Sequence, residues 1–238
     1  MKADFSAVVV AAGESQRFRS QLPNSSGFNS KSLIRWEAKA LFVHTIEALS
    51  SVLEFKELCL VVRDGDEKTF LDEIQKSSLV SRPIRIIKGG ARRQDSVRLG
   101  IESLKPVNRI VIHDGARPFL DQNFLSSLFD QAANVPALIP TLSIKETLKE
   151  VAEDGSVIST HDRRKFFRVQ TPQVFDSNLI RKVHLELKDS PIEFTDDAMM
   201  LEYLGHRVMT HPGDAQNIKV TVPSDLDNRI GKVWKNVG

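Results

Sequence analysis

Three short stretches of this 238-residue chain combine bare backbone with positive charge. Ala11-Ala12-Gly13 ends an apolar run, and Arg17 follows four positions after the glycine. Small residues and a glycine let backbone N–H groups approach a ligand closely, and a nearby guanidinium adds charge-assisted hydrogen bonds. A polyphosphate uses both, and Lys31 is a second cation able to fold back across the intervening loop. Gly89-Gly90-Ala91-Arg92-Arg93-Gln94-Asp95-Ser96 repeats the theme, with two glycines, two arginines and a polar helix start. Its glycines also allow a flat base to lie against backbone. His113-Asp114-Gly115-Ala116-Arg117-Pro118 sets a carboxylate after a third apolar run, which suits a hard divalent cation shared with phosphate oxygens. Each stretch has a plainer reading too: a tight turn with solvated cations, a helix capped by Asp95, and an ion pair between Asp114 and Arg117.

Two later segments add charge. Asp162-Arg163-Arg164-Lys165-Phe166-Phe167-Arg168 carries four cations and two aromatics and is followed by Thr171-Pro172-Gln173. Such a cluster can bind nucleic acid. The formal net charge of only +2 argues against that partner and for a second, phosphorylated substrate. Lys219 sits in the otherwise apolar stretch 217–221, either as an edge-strand lysine facing water or as a cation reaching into a phosphate site.

These groups need a scaffold. Short continuous apolar runs at 7–11, 58–62, 84–87, 109–112 and 137–139 suit strands buried on both faces. Helical spacing occupies 40–50, 68–76, 95–104 and 124–133. The alternation predicts a Rossmann-like, mainly parallel sheet with helices on both faces, whose ligands sit beyond the carboxyl ends of the strands. After Pro140 the pattern changes. Residues 143–170 read as strand-like pieces around the turn Glu153-Asp154-Gly155-Ser156, a protruding β-arm on what is otherwise one domain spanning 1–238. Helices return at 176–187 and at 195–204, the latter capped by Thr195. A short strand is expected at 218–221, and Pro223 opens a last helix. Residues 23–30 (PNSSGFNS) read as a loop.

The totals narrow the class. Hydrophobic residues make up 41% and charged residues 27%, an ordinary globular balance. Cys59 is the only cysteine, so a disulfide framework is excluded. No segment approaches the roughly 18 apolar residues of a membrane span, and the first residues lack a signal-peptide core. The expectation is a cytoplasmic protein with no membrane and no nucleic-acid partner.

Taken in order, AAG with Arg17, GG-x-x-RQ-x-SV (89–97), HDGARP (113–118), DR with TPQ (Asp162, Arg163, 171–173), TDDA (195–198) and NIKVT (217–221) resemble the 2-C-methyl-D-erythritol 4-phosphate cytidylyltransferase family over nearly the whole chain. The first motif is shared by many nucleotidyltransferases, whereas the combination is specific. The resemblance implies a nucleotidyltransferase fold of the glycosyltransferase-A type, CTP and methylerythritol phosphate as substrates, and Mg2+ as cofactor. It implies that Arg17 and Lys31 stabilise the reacting triphosphate. Ala11, Ala12, Gly13, Gly90, Arg93 and Ser96 would line the CTP site with Gly115 and Arg117, and Asp114 would help hold the metal. Arg163, Lys219 and Thr195 would position the second substrate, with Arg163 acting across a homodimer formed through the arm. The chain departs from the family pattern at Ser15, Phe18 and Gln216 and in the longer loop before Lys31, for which Lys2, Arg19 and Lys39 are alternatives. A ribitol 5-phosphate cytidylyltransferase and a non-catalytic nucleotide-binding regulator remain as other readings.

Overall fold

A computed structural model describes residues 3–21, 30–81 and 83–230. The loop expected at 23–30, apart from Ser30, and Lys2 lie outside the described residues. Twelve strands are described: β1 Phe5–Val10, β2 Arg35–Trp36, β3 Lys39–Ala40, β4 Leu58–Val62, β5 Ile84–Lys88, β6 Arg109–Asp114, β7 Ala137–Ser143, β8 Leu148–Val151, β9 Val157–His161, β10 Phe167–Val169, β11 Gln173–Asp176 and β12 Met209–Pro212. Eight helices join them: α1 Gln16–Arg19, α2 Leu41–Val52, α3 Glu67–Gln75, α4 Arg93–Ser103, α5 Gln122–Ala132, α6 Ser177–Glu186, α7 Asp197–Tyr203 and α8 Pro223–Ile230.

The main sheet runs β10-β7-β11-β6-β1-β4-β5, with β12 added beside β7. The block β6-β1-β4-β5 is parallel throughout, and β11 enters antiparallel to both β6 and β7. Strand alternation divides the core. Phe5, Ala7 and Val9 of β1 face one apolar cluster with Leu58, Leu60, α2 and α5. Val8 faces the other, with Cys59, Val61, α4, α6 and α7. Both faces are covered, which is why these strands read as unbroken apolar runs. Gly100 permits the close seat of α4, since a Cβ there would meet Val8 Cγ1 at 2.5 Å.

Chain order reverses between β1 and β6. The chain leaves β1 toward β4 and β5, then returns to β6 on the other side. The carboxyl ends of β1, β5 and β6 therefore open on one rim, and the three glycine turns are the segments that leave them. A third, smaller cluster of Phe18, Ile34, Leu41, Ala116, Phe119, Val220 and Leu226 braces this rim.

The arm is present. β8 and β9 form a separate two-stranded sheet, and Gly155 takes φ 85° in its turn. Two local expectations are corrected. Residues 218–221 form no strand: Val220 is fully buried in the third cluster, and its N–H goes to Ala116 O at 2.9 Å rather than to a ladder. The helix expected from Thr195 begins at Asp197, because the Asp196 carboxylate accepts the Met199 N–H at 2.8 Å and takes the capping position.

Candidate active site

A cavity of about 250 Å³ opens on the rim. It is lined by the run from Val10 to Ser15, by Ser30, Lys31 and Ser32, by the run from Gly90 to Arg93 with Ser96, and by Asp114, Ala116 and Lys219. Ala11 still belongs to the sheet through its N–H bond to Val61 O at 2.7 Å. Beyond it the backbone at Ala12 and Gly13 turns out over the cavity. The opposite wall packs tightly on this turn, since a Cβ at Gly89 would meet Ala12 Cβ at 2.7 Å and Ser96 Oγ at 2.8 Å. Ser96 Oγ accepts the Gly90 N–H at 3.1 Å, and Asp95 closes the start of α4 by accepting from Arg92 N at 3.2 Å.

Asp114 is the electrostatic centre. Lys219 Nζ lies 2.9 Å from its Oδ2, Arg117 Nε 3.5 Å from the same oxygen, and Arg93 Nε 4.0 Å from Oδ1. Burial alone would raise this carboxyl, but the charges of Lys219, Arg93 and Arg117 overcome it and hold it far below the usual range. Arg93 is locked from the far side by Asp197, with Nη1 to Oδ2 at 2.8 Å. Asp197 is itself fully buried and accepts the His184 Nε2–H at 3.1 Å. Burial opposes the Arg93 charge, yet Asp197 and Asp114 outweigh it and raise its pKa. Lys31 has the contrary balance. Burial, then repulsion from Lys219 and Arg17, lowers it to about 8 against partial support from Asp114 and Asp225.

A buried hydrogen-bond network sets the floor. His113 Nε2–H donates to Arg117 O at 3.3 Å, which leaves Nδ1 to accept from Thr171 Oγ1 at 2.9 Å. Thr171 Oγ1 in turn accepts the Asp114 N–H at 3.1 Å. Burial lowers His113 to about 4, so the ring is neutral and both contacts persist at physiological pH. Asn217 Nδ2 donates to Thr171 O at 2.8 Å, Gln170 Nε2 to Asn217 O at 2.9 Å, and Arg117 Nη1 to the same carbonyl at 2.9 Å. These bonds tie the segment bearing Lys219 to β6, and this is why it needs no strand partner.

The structure thus brings Ala11, Ala12, Gly13, Lys31, Gly90, Arg93, Ser96, Asp114 and Lys219 around one cavity. The ion pair between Asp114 and Arg117 is present beside the cation-lined cavity, so the two readings of this stretch do not conflict. Gly115 and Arg117 do not line the cavity but stand behind Asp114. Arg17 is exposed on α1, outside the lining yet near enough to act on Lys31. Arg163 and Thr195 are not brought in. Arg163 Nη1 donates to Lys145 O within the arm, and Thr195 Oγ1 faces Met199 Sδ at 3.6 Å. Sequence reasoning missed the roles of Gln170 and Thr171 and the Asp197–Arg93 lock, although the segments were noted.

The lining carries four cations (Lys31, Arg92, Arg93, Lys219) against two carboxylates (Glu14, Asp114) among the described residues. Such an excess of positive charge suits an anionic ligand. A sequence model described as IspD, 2-C-methyl-D-erythritol 4-phosphate cytidylyltransferase, matches residues 5–229. The chain belongs to this family. Within the IspD family it is 35% identical over 221 residues to the 2-C-methyl-D-erythritol 4-phosphate cytidylyltransferase of Desulforamulus reducens, covering 92% of each chain. It is 34% identical over 220 residues to that of Alkaliphilus metalliredigens, with 92% and 88% covered. Among solved structures, the 4-diphosphocytidyl-2C-methyl-D-erythritol synthase of Anaerococcus prevotii superposes with a TM-score of 0.79 at 27% identity, covering 95% and 96% of the two chains. No helix among the described residues is long and apolar enough to cross a membrane.

Proposed function

We propose that this chain transfers the cytidylyl group of CTP to the phosphate of 2-C-methyl-D-erythritol 4-phosphate, giving 4-diphosphocytidyl-2-C-methyl-D-erythritol and pyrophosphate. The observation that carries this reading is the convergence of Lys31, Arg93 and Lys219 on Asp114 beneath two glycine turns, in a chain of the IspD family. The substrate phosphate oxygen bonds to the α-phosphorus in line, and the α–β bridging P–O bond breaks. A phosphate monoester is already anionic, so no general base is required.

The difficulty is uniting two anions. One unit-charge pair at about 4 Å is worth roughly 4 kcal/mol at an effective dielectric of about 20. Lys31 and Arg17 serve the triphosphate, and Lys219 serves the incoming phosphate, with positioning supplying much of the rest. Ala11, Ala12, Gly13 and Gly90 offer backbone to phosphate and base, and Ser96 holds the Gly90 turn. Gly115 and Arg117 support the floor from behind Asp114.

Mg2+ fits this donor set. Asp114 and Glu14 are the lining carboxylates, and no three His, Cys, Asp or Glu side chains gather among the described residues. An ion held by the Asp114 carboxylate and mainly by substrate phosphates matches that supply. When bound, it would neutralise phosphate charge and polarise a phosphoryl oxygen.

The arm completes the reading. Val151, Val157, Ile158, Phe166, Phe167 and Val169 are exposed on it or beside it. A second copy of the chain would cover them, bringing Arg163 to its partner's substrate phosphate in a cytoplasmic homodimer. Pyrophosphate release from CTP that requires the second substrate tests the reaction. Release without it, or none at all, would overturn this reading.

A further inference from the structure

Ser15 occupies a conformation that side chains avoid. Its φ of 56° and ψ of 26° lie in the left-handed region, where glycine is at ease and asparagine is tolerated. Four backbone groups converge on it. Its Oγ accepts the Lys31 N–H at 3.1 Å, across sixteen positions of sequence. The same hydroxyl donates to Gly13 O at 3.4 Å. Its carbonyl accepts the N–H groups of Phe18 and Arg19 at 3.0 and 2.9 Å, opening α1 above the buried Phe18 ring. One small residue therefore links the phosphate-facing turn, the helix that bears Arg17, and the backbone of Lys31.

Lys31 opens a 3-10 turn, so its N–H has no acceptor within that turn, while Ser30 Oγ accepts the next free N–H, that of Ser32, at 3.3 Å. Burial of Leu33 and Ile34 anchors the far end of this turn, and the Ser15 hydroxyl ties its first residue, Lys31, to the loop over the cavity. A flexible lysine finds a phosphate only if its backbone is held, and a displacement of about 1 Å at such a site can cost about 100-fold in rate.

We propose that Ser15 is a positioning residue for Lys31, its hydroxyl holding the lysine backbone so that the ammonium meets the polyphosphate beside Asp114 and Lys219. The inference rests on the polyphosphate reading of the cavity, and it makes the side chain, not backbone freedom, the reason for a serine here. The test compares Ser15→Gly, which keeps the left-handed backbone without an acceptor, with Ser15→Asn, which keeps both. Each is measured for inorganic tripolyphosphate affinity by calorimetry, for kcat and KM with CTP, and for melting temperature.

Ser15→Gly should bind tripolyphosphate at least about 10-fold more weakly and lower kcat similarly, with an unchanged or higher melting temperature. KM for the alcohol phosphate should stay within about twofold, and Ser15→Asn should recover most of the loss. In a Lys31→Ala background, Ser15→Gly should cost nothing further. Wild-type affinity in Ser15→Gly, or the same loss repeated without Lys31, would overturn the proposal. A wild-type protein that binds tripolyphosphate but never turns over CTP would refute the reaction above and still leave Ser15 judged by the binding series.

Discussion

Lys219 Nζ lies 2.9 Å from Asp114 Oδ2, joining the end of the central strand β6 to a segment that belongs to no strand. The pair holds the cation that we assign to the incoming phosphate against a carboxylate that other cations keep ionised. Lys219→Ala should lower kcat/KM by about 100- to 1,000-fold, the usual scale for removing one charge-stabilising donor. Lys219 is also the leading charge that holds the buried Asp114 carboxylate down, so the melting temperature should fall as well, softened by the Arg93 and Arg117 charges that remain. Steady-state pyrophosphate release and thermal unfolding of the same preparation check both halves.

Asp114→Asn should behave differently. It leaves Lys219, Arg93 and Arg117 facing one another around a buried neutral group. Breaking a buried pair of this kind costs about 3–5 kcal/mol. The Asp114 carboxyl is depressed in the folded state, so its stabilisation is present above the unfolded value of about 3.9 and is lost as pH falls toward the lower folded value. Denaturant unfolding between pH 3 and 7 should therefore show an acid-dependent loss in the wild type that is smaller in the asparagine variant.

Lys31 gives the alkaline counterpart. Its pKa falls from 10.5 to about 8, so the ammonium that we assign to the triphosphate is present below pH 8 and lost above it. In the free enzyme kcat/KM for CTP should decline with an apparent pKa near 8. Lys31→Arg, charged at every accessible pH, should move that limb upward by more than one unit. An unchanged limb would assign it to another group.

The hairpin of β2 and β3 offers a stability test away from the chemistry. Its two turn residues, Glu37 and Ala38, have φ 47° and 64°, the conformation of a two-residue turn that favours Asn-Gly. Ala38→Gly should relieve about 1 kcal/mol of backbone cost. In a domain of this size that raises the melting temperature by about 2–4 °C.

Much of this arrangement was legible in the sequence. The runs at 7–11, 58–62, 84–87 and 109–112 became β1, β4, β5 and β6 because strands covered on both faces need little besides apolar residues. The glycine turns marked their carboxyl ends. The arm was legible from a turn flanked by strand-like pieces. Less visible was β11, where only Val174 and Phe175 are apolar and the buried Gln173 looks like a loop residue. The stretch 218–221 misled because burial of Val220 in a local cluster produces the same apolar pattern as a strand. Thr195 and Asp196 both cap helices well, and only geometry chooses between them. The Ser15–Lys31 bond and the Thr171–His113 network join residues remote in sequence, and no local pattern announces such pairs.

The most direct measurement is pyrophosphate release by the purified chain across four nucleoside triphosphates and two alcohol phosphates, with and without Mg2+. Release is expected only when CTP, 2-C-methyl-D-erythritol 4-phosphate and Mg2+ are present together. Release that prefers ribitol 5-phosphate, or that ignores the second substrate, would contradict the proposed reaction.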